Sequence, residues 1–398
     1  MQKHYLVLYC FLVMGSLTAQ QFKAIGYLPH YRFDLIDDID FHKLTHVNIA
    51  FANPDMAGNL SVSGKNITPI VEHLHNANVE VFLSLAGGAL TSEWAAAWAH
   101  LTKPQNRSAF IHKMMRYAND HQLQGIDVDL EWSHVDENYS GFVLELRDSV
   151  DQHDLMLTAA LPGTYRYPDI TNAALAAYDW INMMVYDLTG PWAPNNPGPH
   201  SPFSFAVNST VHWVNQGVST DQLTLGMPFY GYDFTNQGNV YARTYRTIVG
   251  LDPDNAYRDQ YGQIYYNGIP TIRQKTEYAL AQLSGVMIWE LGQDYYGEFS
   301  LLDQMDDVIQ SSISHLDDPG DLTMQVFPNP FQDRLTLRLY QPVEAKLVIS
   351  NLQGQVLFTQ QITETETQII LPHHWPSGIY TLQLTTSDKL MYQRLVKQ

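Results

Sequence analysis

Short apolar runs of β type recur along the first three quarters of the chain, and stretches of helical spacing separate them. Eight runs stand out, at 24–28, 45–52, 79–86, 124–131, 155–161, 180–187, 222–229 and 285–291. Between them Ile111, Met114, Met115 and Ala118 fall at i, i+3, i+4 and i+7, the stripe of an amphipathic helix. Val143, Leu146 and Val150 repeat that spacing. So do Ile70, Val71 and Leu74 just after Pro69, a residue suited to a helix's first turn. Strands alternating with helices predict a parallel sheet, and eight of them predict closure into a (β/α)₈ TIM barrel. An open doubly wound sheet is the alternative, but no glycine-rich phosphate loop follows the first run. The long gap before the last run, rich in Tyr, Asn and Gly, predicts a short insertion at about 232–284.

Past the barrel the period changes. Asp317, Asp318, Pro319 and Gly320 mark a linker, set at 312–323. Beyond it Leu335, Leu337 and Leu339 alternate with Thr336 and Arg338, and Tyr380, Leu382 and Leu384 alternate likewise. Turn signals occur at Asn329-Pro330, Gln353-Gly354 and Ser377-Gly378, which together predict a small all-β sandwich over 324–398. At the other end Lys3 and His4 precede an apolar run, 5–14, and then small residues up to Ala19. That order reads as a secretory signal peptide, 1–19, too short for a membrane span of about 20 apolar residues. The barrel domain is then expected over 20–311.

Composition narrows the function. Hydrophobic residues at 45% can supply a sizeable core. With 22 Lys+Arg against 41 Asp+Glu the formal charge is −19, which repels phosphate backbones and anionic membranes and argues against a nucleic-acid partner. From Met324 on, six basic side chains meet five acidic ones, so the acidity belongs to the preceding region. The single cysteine, Cys10, lies within the expected leader, which removes thiol catalysis, disulfides and thiolate metal sites from the mature chain. The 16 histidines show no H-E-x-x-H spacing, and no metal or cofactor is expected.

The most informative segment is Gly125-Ile126-Asp127-Val128-Asp129-Leu130-Glu131-Trp132. Side chains alternate along a strand, so Asp127, Asp129 and Glu131 share one face and the aliphatic residues the other. In a barrel the three carboxyls would point inward, successive ones roughly 6–7 Å apart. Burial and mutual repulsion oppose ionising all three, so at least one should hold a proton near neutrality, as a general acid requires. On this segment alone a solvated antiparallel strand stays open. A metal site is a further alternative, but alternate carboxyls on a rigid strand do not wrap a cation as a calcium loop does.

The segment resembles the D-G-x-D-x-D-x-E signature of glycoside hydrolase family 18, the chitinases and endo-β-N-acetylglucosaminidases, with Gln124 in place of the leading Asp. Further matches follow in family order: Ser84-Leu85-Ala86-Gly87-Gly88, with Ala86 where glycine is usual, Met184-Val185-Tyr186-Asp187, Gly226-Met227-Pro228-Phe229-Tyr230-Gly231, and Gly285-Val286-Met287-Ile288-Trp289-Glu290. The resemblance implies a retaining, substrate-assisted mechanism. Glu131 would protonate the glycosidic oxygen, Asp129 would orient the substrate's acetamido N–H, and Asp127 would share a proton with Asp129, held by Tyr27 and Ser84. Tyr186 would donate to the acetamido oxygen, with Met184 and Asp187 beside it, and Trp289 would floor the sugar site. Trp94, Trp98 and Trp192 are further candidate sugar contacts.

Two departures bear on substrate. Ala89 follows the glycines of the third strand where many processive chitinases carry an aromatic, and Tyr232 follows Phe229-Tyr230-Gly231 where many carry Arg. The expected partner is chitin or another N-acetylglucosamine-containing oligosaccharide, bound by a monomer. An N-glycan endoglycosidase and an inactive sugar-binding lectin are the alternatives, the latter opposed by the retained Glu131. Val326-Phe327-Pro328-Asn329-Pro330, Asn351-Leu352-Gln353-Gly354 and the terminal Arg394-Leu395-Val396-Lys397 resemble the type IX secretion sorting domain. That implies export by the type IX machinery. A carbohydrate-binding sandwich is the alternative.

Overall fold

The computed structural model describes residues 22–314 and 324–397, apart from Pro330, Tyr340, Gln341, Leu352, Gln353 and Asp388. The expected leader, most of the expected linker, and Pro330 and Gln353 of two expected turns lie outside these residues. Eight parallel strands form the centre: β1 (Lys23–Pro29), β2 (His46–Pro54), β3 (Glu80–Ala86), β4 (Gly125–Asp129), β5 (Met156–Pro162), β6 (Trp180–Met184), β7 (Leu223–Pro228) and β8 (Gly285–Trp289). Each pairs with its sequence neighbours, and β1 pairs with both β2 and β8, closing the barrel. The ladders of β4, β6 and β8 stop earlier than the apolar runs predict. Tilted, staggered strands run out of partners at a barrel mouth, so Glu131, Tyr186 and Asp187 lie just past the last ladder residue.

Alternation sorts the strands' side chains between two layers. Ile126 and Val128 of β4 face outward into the main core, which they share with the helices. The helix Arg107–Asp120 buries Phe110, Ile111, Met114, Met115 and Ala118; Tyr139–Asp151 buries Val143, Leu146 and Val150; Thr68–Asn76 buries Ile70, Val71 and Leu74. Each large aliphatic side chain so covered contributes about 1.5–3 kcal/mol. Inside the barrel Phe82 and Trp180 pack at 5.4 Å between ring centroids, filling the interior beneath the carboxyls. Gly125 makes room for that plug: a Cβ there would lie 2.5 Å from the Phe82 ring. Gln124, the departure from the family signature, ties the start of the strand. Its Oε1 accepts from the Val81 N–H (2.8 Å) and lies 2.9 Å from His75 Nε2.

The region 232–284 divides in two. A four-stranded antiparallel sheet runs from Tyr230–Asp233 through Tyr241–Thr244 and Gln260–Tyr261 to Ile264–Tyr265. The helix Ile269–Gln282 then packs back on β7 and β8 as a barrel helix. The last barrel helix, Leu301–Ser314, continues a short way into the expected linker. Beyond it two antiparallel sheets of three and four strands enclose a separate core of Leu335, Leu337, Leu339, Leu347, Leu382 and Leu384. Among the described residues no helix is long and apolar enough to cross a membrane.

Candidate active site

The barrel axis carries a column of carboxyls. Asp127 is wholly buried and accepts hydrogen bonds from Tyr27 of β1 (2.7 Å), Ser84 of β3 (2.7 Å), Thr158 of β5 (2.7 Å) and the Asn182 amide of β6 (3.2 Å). Burial pushes its carboxyl above the ordinary range, and the four donors pull it partly back. One turn of the pleat higher, Asp129 is also buried, but its Oδ1 has no hydrogen-bond partner. Burial first, then the charges of Glu131 and Asp127, drive this carboxyl well above the ordinary range.

Glu131 keeps an extended backbone (φ −123°, ψ 155°), so the inward alternation survives past the ladder. Its carboxyl is pushed up to about 7, chiefly by burial and then by the charge of Asp187. Space for it comes from β3's end: a Cβ on Gly88 would lie 2.6 Å from Glu131 Oε1. Gly87 beside it has φ +80° against the Phe51 ring, a conformation suited to glycine. Ala86 takes φ +73°, so the residue standing where the family favours glycine carries a backbone cost of about 1–2 kcal/mol.

Tyr186 sits beside Asp129 with its hydroxyl toward Met287 Sδ at 3.8 Å, a weak acceptor that leaves the proton available to a better one. Trp289 stacks on Phe51 (5.5 Å, 23°) and receives the edge of Tyr27 (5.6 Å, 65°). Above these groups opens a cavity of about 830 Å³. Tyr27, Asp129, Glu131, Met184, Tyr186, Asp187 and Trp289 line it, while Asp127 and Ser84 lie beneath. Trp94, Trp132, Tyr165 and Trp192 form walls, so the cleft offers flat apolar faces around a polar centre. Trp98 is not among them: one helical turn beyond Trp94 on the same face, it is buried in the core against Phe110 and Phe142, its indole N–H on Asn53 Oδ1 (2.8 Å). Among the described residues no group of three or more His, Cys, Asp or Glu side chains is arranged to hold a metal ion.

Thr158, Asn182 and Phe51 were not foreseen. Thr158 and Asn182 are lone small polar residues within apolar strands, the only sequence trace of their place in the column.

The comparisons with known proteins agree with this geometry. Residues 23–294 match the family model for glycosyl hydrolases family 18, and 325–398 match that for the secretion system C-terminal sorting domain. The chain is 45% identical to the GH18 chitinase from the chitin utilization locus of Flavobacterium johnsoniae, at a TM-score of 0.72, covering 74% of this chain and 96% of that one. A chitinase structure from Bacteroides thetaiotaomicron matches at 26% identity and a TM-score of 0.65, over 73% and 96% of the two chains. A class V chitinase of Arabidopsis thaliana is 28% identical over 307 residues, 67% of this chain and 78% of the relative. A barrel matched from its first strand to just past its last, with the acidic column on its axis, places this chain in family 18 of the glycosyl hydrolases.

Proposed function

We propose that the protein is an exported chitinase that cleaves β-1,4 bonds next to N-acetylglucosamine, with retention of configuration. The observation that carries the reading is Asp129 Oδ1, a buried carboxylate oxygen without a partner, set between a carboxyl poised near 7 and a tyrosine hydroxyl with only a thioether to bind. An acetamido group supplies what both lack, an N–H for Asp129 and a carbonyl oxygen for Tyr186.

In this reading Glu131 gives its proton to the glycosidic oxygen while the substrate's acetamido carbonyl attacks the anomeric carbon. The C–O bond to the leaving sugar breaks and an oxazolinium ion forms. Asp129 holds the acetamido N–H and stabilises the cation. Asp127, fixed by its donors, keeps the column's proton close to Asp129. Glu131, now a carboxylate, takes a proton from the water that opens the ring. Trp289 supports the apolar face of the sugar. The chain division proposed is a leader at 1–19, a catalytic region at 20–311, a linker at 312–323 and the sorting module from 324. The sorting module supports delivery by type IX secretion.

Incubation of the purified protein with chitin oligosaccharides, with products read by mass spectrometry, should give shorter N-acetylglucosamine oligomers. Glycan release from a glycoprotein with no action on chitin oligomers would move the substrate to N-glycans, and silence on both would point to a lectin. Because Glu131 must be protonated in the free enzyme, kcat/KM should be flat below its titration and fall about tenfold per pH unit above it. The midpoint of that basic limb is expected at about pH 7.

A further inference from the structure

Tyr232 stands where a cationic residue was the expected family pattern, and its hydroxyl reaches the catalytic neighbourhood. Tyr230 and Tyr232 alternate on the strand Tyr230–Asp233 and so present the same face. Both hydroxyls donate to Asp187 Oδ1, that of Tyr232 at 3.0 Å. The buried His200 ring packs against both, with centroids 4.9 and 5.2 Å from theirs. Its Nδ1 accepts the Asp187 N–H (3.4 Å) and lies 3.7 Å from the Asp187 carboxylate, and its Nε2 faces the Tyr230 carbonyl (3.1 Å).

The cations nearby are engaged elsewhere. Arg243, on the paired strand Tyr241–Thr244, binds Asp233 at 2.7 Å, and Lys275 binds Ser201 and Asn267. Asp187 lines the cavity with Glu131. The other titratable groups facing Glu131 are Asp129 from β4, Tyr186 after β6 and Tyr167 from the loop after β5, none of them a cation. We propose that Tyr232 is a positioning residue: its hydroxyl fixes the Asp187 carboxylate toward the cleft, and because it brings no cation to this position the charge of Asp187 stays uncancelled and holds the upper pH limit of hydrolysis. The inference rests on Glu131 being the acid, and Asp187 is already a source of the charge that keeps it protonated.

The test is the pH dependence of kcat/KM on a chitin tetrasaccharide for the full chain and for Tyr232→Phe, Tyr232→Arg and Asp187→Asn. Tyr232→Arg places a cation on Asp187 and should move the basic limb down by roughly half to one pH unit. Tyr232→Phe keeps the ring that carries Trp192 (5.7 Å, 84°) and adds no charge. It should lower kcat a few fold, through a less fixed Asp187, with KM and the limb held. Asp187→Asn should move the limb at least as far as Tyr232→Arg, which keeps the test alive if the arginine variant does not fold. A limb unmoved in Asp187→Asn, or moved equally by Tyr232→Phe and Tyr232→Arg, overturns the proposal. Failure of the underlying reading looks different: hydrolysis would then survive Glu131→Gln.

Discussion

Glu131→Gln is expected to lower kcat on chitin oligosaccharides by about a thousandfold, with binding changed by no more than a few fold. The amide keeps the shape and extended backbone of the glutamate but has no proton to give, so the leaving sugar must depart as an alkoxide. General acid catalysis is worth about 10² to 10⁴ in rate, and a thousandfold loss corresponds to about 4 kcal/mol at the transition state. The cleft walls and Trp289 are untouched by the change, which is why affinity should hold. Progress curves by mass spectrometry, with affinity measured by calorimetry on the same protein, check both halves. A loss of tenfold or less would mean that another group delivers the proton.

Asp129→Asn is expected to cost about a hundred- to a thousandfold in kcat, in the range seen when one preorganised group is removed from a developing charge. Asparagine can still accept the acetamido N–H through its carbonyl, but it brings no negative charge to the oxazolinium ion. The same substitution should leave the fold more stable at high pH. The Asp129 carboxyl titrates above its unfolded value because it is buried beside Glu131 and Asp127. A group raised in this way binds more protons folded than unfolded, so its ionisation costs stability as pH rises above the unfolded value. The melting temperature of Asp129→Asn should therefore exceed that of the wild type at pH 8 and converge with it toward pH 4. Activity lost together with stability at every pH would instead mark Asp129 as a structural residue.

Much of this was legible along the chain. Period-two alternation put Asp127, Asp129 and Glu131 on one face before any fold was known, and the eight apolar runs became the eight strands. What stayed hidden depends on closure. Thr158 and Asn182 reach Asp127 across 31 and 55 residues of sequence, and only the ring of β4, β5 and β6 brings them there. Strand ends were overrun for the same reason, since hydrophobicity continues where the ladder does not. Tyr232 was visible as a departure, but its partner Asp187 lies 45 residues away on another strand's loop. The aromatics were hardest to sort. Trp98 and Trp94 are four residues apart on one helix, yet one is core and the other lines the cleft.

The central claim is that the substrate's own acetamido group performs the attack, and partially deacetylated chitosan tests it in one measurement. The products of limited digestion are sequenced by mass spectrometry to identify the sugar at every new reducing end. With Asp129 and Tyr186 serving an acetamido nucleophile, every new reducing end should be N-acetylglucosamine, whatever the degree of deacetylation. New reducing ends carrying glucosamine in proportion to the polymer's composition would show cleavage without that group, and would contradict the account.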